Sequence, residues 1–204
     1  MECIFVADPM CSWCWGFAPV MEKLRESYRD EIDFSLVLGG LRSSGEMRWD
    51  TSAKAYLKSH WQQVAQKTGQ PFDETLFAKA EFDYDTYPTC KAVVSVRELL
   101  GLEAAFGYLH AIQKAFYSQG IDVGNPRLLQ GYYEQLFGNS GKFAFFFRSE
   151  RAELLTAHDF AKARSMGATA FPSVVIIDDD GHMVCQKGYR SFEEMKTLLE
   201  SKDA

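Results

Sequence analysis

The chain opens on a short apolar run, Cys3 to Ala7, closed by Asp8-Pro9. This is the pattern of a buried strand. A helix is expected to begin near Cys11, because Val20, Met21, Leu24 and Tyr28 recur at helical spacing with charged residues between them. Pro19 lies inside that pattern, so a kink there or a break near Gly16 is expected. Ile32 to Leu38 (IDFSLVL) returns to a strand pattern, and Gly39-Gly40 stops it. A strand, a helix and a second strand in this order favour parallel pairing of the two strands.

The pattern then changes. From about Met47 to Met166 no clear strand run occurs. Helices are expected over 51–67, ending at Gly69 and Pro71, and over 88–100, with Pro88 in the first turn, where proline is tolerated. Two more follow at 102–118 and 126–137, and Ser149 is placed to cap another at 150–166, ended by Gly167. Phe143 to Phe147 (FAFFF) is ambiguous by periodicity and is taken as a short buried helix. Ser173 to Asp178 (SVVIID) predicts a strand, Asp180-Gly181 a hairpin turn, and Met183 to Lys187 its partner. Ser191, with Glu194 three residues on, gives a capping box for a final helix. The order is βαβ, a long helical block, then ββα, without internal repeats or low-complexity segments.

Composition narrows the function classes. The 204 residues are 47% hydrophobic and 14% aromatic, with 16 phenylalanines, enough for a sizeable packed core. The formal net charge of -6 leaves no basic face for nucleic acid or for anionic membrane surfaces. No run of about 18 apolar residues occurs, so no transmembrane helix is expected. The first residues, MECIFVAD, lack the charged and apolar regions of a secretory signal, and a cytoplasmic protein is expected. Five cysteines, Cys3, Cys11, Cys14, Cys90 and Cys185, make a poor disulfide scaffold there, and a close pair reads as catalytic or metal-binding.

That pair lies in "ADPMCSWCWGF". At a helix start after a strand, free backbone N–H groups and the positive end of the helix dipole favour a thiolate. The first cysteine would attack and the second, one turn on, would close a disulfide and resolve the intermediate. The alternatives are a metal clamp and two inert buried thiols. A structural zinc site takes about four ligands. No second C-x-x-C exists, and His60, His110, His158 and His182 show no paired ligand spacing, so no metal is expected. Phe171-Pro172 precedes the strand SVVIID, and the sequence leaves its peptide isomer open. Asp8 is read as ending the first strand and capping the helix. Cys3 and Cys185 are read as core residues, as are Met47, Trp49 and Trp61. Cys90, at a helix start after Pro88-Thr89, is read as a partly buried structural thiol, with activation by the same dipole as a third functional thiol as the alternative.

"DPMCSWCWGFAP", "YPTCKAVVSVREL", "AIQKAFYSQGIDV" and "GATAFPSVVIIDDDG" together resemble the DsbA-like branch of the thioredoxin superfamily. Within it the chain is similar to cytosolic protein-disulfide isomerases and related to hydroxychromene carboxylate isomerases and kappa-class glutathione transferases. The resemblance implies an α/β thioredoxin fold with a large all-helical insertion between the second and third strands. Residues 1–46 and 149–204 would form the thioredoxin-like domain and residues 47–148 the insertion. It implies a thiol–disulfide oxidoreductase or isomerase, with Cys11 attacking and Cys14 as its partner. Ser12, Trp13, Phe171 and Pro172 would contact substrate, with Pro172 cis and facing the disulfide and Trp13 exposed at the loop tip. Substrates would be thiol- or disulfide-containing proteins or small molecules. No tightly bound cofactor is implied, but glutathione is a candidate redox partner. The buried acid that thioredoxins carry six residues before the first cysteine is replaced by Phe5, so that relay is not implied here.

Overall fold

The computed structural model describes residues 1–45 and 47–200; Glu46, the expected boundary residue, lies outside them. β1 (Glu2–Ala7), α1 (Ser12–Ser27) and β2 (Asp33–Leu38) form the opening unit. β1 and β2 pair in parallel, from Glu2 beside Asp33 to Ala7 beside Leu38, as a helical crossover requires. β3 (Ser173–Ile177) runs antiparallel to β1, and β4 (Met183–Lys187) antiparallel to β3, giving the sheet order β2-β1-β3-β4. The final helix α8 (Phe192–Glu200) starts at the expected capping box: Ser191 Oγ accepts from the Glu194 N–H at 3.3 Å, and Glu194 Oε2 accepts from the Ser191 N–H at 2.7 Å.

Between β2 and β3 stand α2 (Thr51–Thr68), α3 (Tyr87–Leu100), α4 (Leu102–Gln119), α5 (Pro126–Phe137), α6 (Gly141–Phe147) and α7 (Glu150–Ser165). The sequence does not foretell a short 3-10 turn at Glu74–Ala78, which Asp73 caps by accepting from the Thr75 N–H. Alternation along β1 separates two packing layers. Cys3, Phe5 and Ala7 join a large core with residues of α1, α2, α3 and α4, while Ile4 and Val6 pack with Val37, Val175 and, on α7, Ala163.

Two expectations are corrected. α1 does not break at Gly16. A side chain there would meet Val64 Cγ1 at 2.7 Å, so glycine is what lets α2 pack closely on α1. Pro19 removes the N–H that Trp15 O would accept, and Gln70 Nε2 donates to that carbonyl at 3.0 Å instead, which keeps the helix continuous. FAFFF is helical, but only Phe143 and Phe147 are buried; Phe145, between them on the opposite side, is 82% exposed.

Candidate active site

β1 ends where Asp8 and Pro9 turn the chain, and α1 starts at once, with Cys11 as its N-cap residue. Cys11 N–H donates to Asp8 O at 3.1 Å, fixing the turn. Cys11 Sγ lies 3.3 Å from Phe171 O and donates to it. The Phe171-Pro172 peptide is cis. Gly39, across the sheet end, has no Cβ; one would fall 2.0 Å from the Phe171 ring. Both cysteines of the pair are free thiols. Cys11 does not stand proud of the surface as the helix-mouth picture suggests: it is 6% exposed, and Cys14 is wholly buried. The Cys14 thiol is pushed well above its ordinary range, first by burial and then by its hydrogen bond with Cys11.

The other expected contacts sort themselves around this pair. Ser12 is half-buried in the first turn of α1. Trp13 is not at an exposed loop tip. It is half-buried in that same turn, its ring 5.9 Å from Tyr189, because the helix begins one residue after Cys11. Trp15 is core: its Nε1–H donates to Pro71 O at 3.1 Å and its ring stacks on Tyr117. Phe5 packs between Phe17 and Phe106.

Asp8 departs furthest from expectation, while Cys90 is the structural thiol of the leading reading, wholly rather than partly buried. Asp8 ends β1, but its side chain does not cap α1. It is fully buried and gathers donors from three segments. Oδ1 accepts from Met10 N–H at 2.8 Å, and Oδ2 from Leu41 N–H at 2.7 Å; Cys90 Sγ stands 3.4 Å from Oδ2. The Thr86 hydroxyl adds a further hydrogen bond. Burial raises the Asp8 carboxyl above the usual carboxylate range, and these hydrogen bonds oppose that shift. Cys90, in the first turn of α3, is not activated by the helix dipole: burial and the Asp8 charge push its thiol well up. Tyr84, from the loop before α3, donates to Met10 O at 2.8 Å and closes the floor. Of these, sequence inspection singled out only Asp8 and Cys90. Their union was hidden because 82 residues separate them. Cys3 is core as expected, while Cys185 on the edge strand β4 is only half-buried.

Among the described residues, one group could offer three ligand atoms to a metal: Asp178, Asp180 and His182, on the exposed β3–β4 turn. Asp178 there accepts from the Asp180 and His182 N–H groups, which is what shapes the turn. It lies at the other end of β3 from Pro172.

A sheet in the order β2-β1-β3-β4, with a cysteine pair at the start of the helix after β1 and a cis-proline opening β3, defines a thioredoxin-fold protein. The sequence model of the family described as Thioredoxin matches residues 4–197, and the chain belongs to that family, in its DsbA-like branch of oxidoreductases. A candidate protein disulfide isomerase from Nitrosomonas europaea is 33% identical, with TM-score 0.87, over 98% of this chain and 95% of that one. The cytosolic disulfide reductase DsbM from Pseudomonas aeruginosa is 25% identical, with TM-score 0.76, over 100% of this chain and 94% of that one; a further structure of it contains GSH. The ClpXP adapter protein SpxH of Halalkalibacterium halodurans is 19% identical over 188 residues, which are 88% of this chain. The match spans 60% of that curated relative's length. Among the described residues no helix is long and apolar enough to cross a membrane.

Proposed function

We propose that the chain is a thiol–disulfide oxidoreductase of protein-disulfide isomerase type, working by exchange at Cys11-Ser12-Trp13-Cys14. The observation that carries this reading is the pair itself: two free, mutually hydrogen-bonded thiols at a helix start, the outer one against the carbonyl beside cis-Pro172. The Cys11 thiolate attacks a substrate disulfide, one substrate sulfur leaves as a thiol, and a mixed disulfide forms. Cys14 then loses its proton and attacks Cys11 Sγ, releasing the second substrate thiol. Two electrons pass from the pair to the substrate, and the reverse sequence oxidises a dithiol. Ser12 and Trp13 line the approach, and the Phe171 carbonyl and Pro172 receive the substrate backbone or a small thiol. The helical block 47–148 covers the site, and glutathione serves as a redox partner. The GSH in the DsbM structure supports glutathione, and the cytosolic setting of that reductase supports a cytoplasmic location.

The test is the reduction potential of Cys11–Cys14 in glutathione buffers, followed by tryptophan fluorescence, with Cys90→Ser as control. A reversible two-electron transition is expected, lost in Cys11→Ser. A value of about -120 to -180 mV marks an oxidising or isomerising disulfide, and about -270 mV a thioredoxin-like reductant. If no reversible pair forms, or a glutathione adduct persists on Cys11 in the unmutated protein, the reading fails in favour of a glutathione-dependent transferase or isomerase.

A further inference from the structure

The second half of α1 borders a cavity that the exchange chemistry does not use. It holds about 270 Å³ between α1, α4 and Phe5 of β1. Both helices line it at the same spacing, three and then four residues on: Ala18, Met21 and Arg25 from α1, and Phe106, Leu109 and Gln113 from α4. Phe5, Met21, Phe106, Leu109 and Gln113 are buried. Glu22, Glu103, Gly107 and His110, which complete the lining, are exposed. The cavity therefore has a mainly apolar interior and a polar rim. Cys11 and Cys14 lie at the other end of α1, in its first turn.

Two features of its walls have no role in holding the fold together. Gln113 is 1% exposed, in a face of α4 that it shares with Phe106, Leu109 and Phe116, and its Nε2 has no hydrogen-bond partner. A buried donor left unpaired destabilises a protein, and leucine would fill much the same space without that penalty. The cavity is the space beside Gln113 from which an acceptor can reach it. Water answers that need poorly, because a buried water takes two to four polar partners and the inner walls are otherwise Phe5, Met21, Phe106 and Leu109. The second feature is Gly107. It sits inside α4, where glycine is a weaker helix former than alanine. A Cβ there would meet nothing within 4 Å, so no neighbour demands the glycine. Its effect is to leave the rim open.

We propose that this cavity is a binding site for a small neutral aromatic molecule bearing a hydrogen-bond acceptor, with Gln113 Nε2 as the donor that orients it. The site is separate from the cysteine pair, and the proposal does not depend on the exchange reading. Size sets the first limit. Sites for drug-sized ligands run to about 300–1,000 Å³, so this one takes a single ring with a short substituent. The walls favour a ring over an alkyl chain. Phe5 and Phe106 lie nearly parallel, 9° apart with centroids at 6.3 Å, and the Met21 thioether adds a soft contact that suits an aromatic edge. The rim favours a neutral molecule. Glu22 and Glu103 both stand there, and the one guanidinium among them, Arg25, is already held by Glu103 and by the Phe106 ring at 3.8 Å. A carboxylate ligand would meet two like charges and no free cation. An unpaired N–H on the inner wall asks for a carbonyl or hydroxyl oxygen.

The test titrates the reduced full-length protein, labelled with ¹⁵N, with three probes: acetophenone, ethylbenzene and benzoate. The signals followed are the Gln113 side-chain NH₂ and the backbone amides of α1 and α4. Acetophenone is expected to move the Gln113 NH₂ signals and to bind about tenfold more tightly than ethylbenzene, the worth of one hydrogen bond to a group otherwise unpaired. Benzoate is expected to bind more weakly than acetophenone. Gln113→Leu should erase the preference for acetophenone over ethylbenzene while raising the urea midpoint. Gly107→Leu should stay folded, with a midpoint no lower than that of the unmutated protein, and should lose both neutral probes. Should Gln113→Leu fail to fold, the Gln113 signals of the unmutated protein and the behaviour of Gly107→Leu decide. The proposal is overturned if neither neutral probe gives a saturable shift, or if ethylbenzene binds as tightly as acetophenone. Full binding to folded Gly107→Leu, or an unchanged preference in Gln113→Leu, overturns it as well. Benzoate binding as tightly as acetophenone would overturn the neutral class of ligand.

Discussion

Arg97 and Asp159 show how much one pair can tie together. The guanidinium meets the carboxylate with two bonds of 2.8 Å, and Arg97 Nη1 also donates to Leu36 O. Asp159 Oδ2 accepts from the Leu38 N–H at 2.9 Å. The pair thus joins α3, α7 and the end of β2, next to the Gly39-Gly40 turn. Asp159 is 4% exposed at its side chain, so its removal leaves a cation facing a mostly dry site. Asp159→Ala is expected to cost about 3–5 kcal/mol in urea unfolding. Arg97→Lys keeps the charge but loses the planar fork, and should cost less than Asp159→Ala yet clearly more than nothing. A cost below about 1 kcal/mol for Asp159→Ala would mean that water screens the pair. Neither residue stands out in the sequence, because ion pairs carry no periodicity and these partners lie 62 positions apart. The cysteine pair and Phe171-Pro172 are legible because their spacing is local. The burial of Asp8 is not, because it is made by Leu41, Thr86 and Cys90 arriving from elsewhere.

At the scale of elements, the hydrophobic pattern gives every strand and every long helix to within a residue or two at each end. The break it allows at Gly16 does not occur, because the remedy for Pro19 lies outside the helix. If Gln70 is that remedy, Gln70→Ala should destabilise the protein by about 1 kcal/mol, the cost of leaving the Trp15 carbonyl unpaired. In a Pro19→Ala background the helix supplies its own donor, and the same change should cost far less. A double-mutant cycle by chemical denaturation measures the difference. Equal costs in both backgrounds would place the contribution of Gln70 elsewhere. α6 gives a second case. Five apolar letters in a row look uniformly buried, yet a seven-residue helix against the core has one wet side. Phe143 stacks on Tyr133 at 4.6 Å and Phe147 stacks on Phe143, while Phe145 faces solvent. Phe143→Ala is expected to cost about 3–5 kcal/mol and Phe145→Ser to stay within about 0.5 kcal/mol. Comparable losses would show that the run is buried on both sides.

For the whole molecule, the five cysteines serve as built-in reporters of how the fold opens. Cys185 is half-buried on the edge strand, and Cys11 is 6% exposed. Cys3, Cys14 and Cys90 are wholly buried, and burial pushes the Cys3 thiol up to about 12, so neither access nor thiolate exists in the closed state. Alkylation of the reduced native protein should therefore mark Cys185 and Cys11 first. Cys3 lies on β1, which pairs with a neighbour on both sides, and should react only through global unfolding. Cys90 lies on α3, in the helical block, and Cys3 in the sheet, yet both belong to one continuous core that also holds Phe5, Trp61 and Phe116. A shared core predicts a shared transition. Labelling of Cys3 and Cys90 in rising urea, read by mass, should give the same midpoint and slope. If Cys90 became reactive at clearly lower urea than Cys3, the helical block would be melting off the sheet as a separate unit. If Cys3 reacted as fast as Cys185 without denaturant, the sheet would open far more readily than its packing allows.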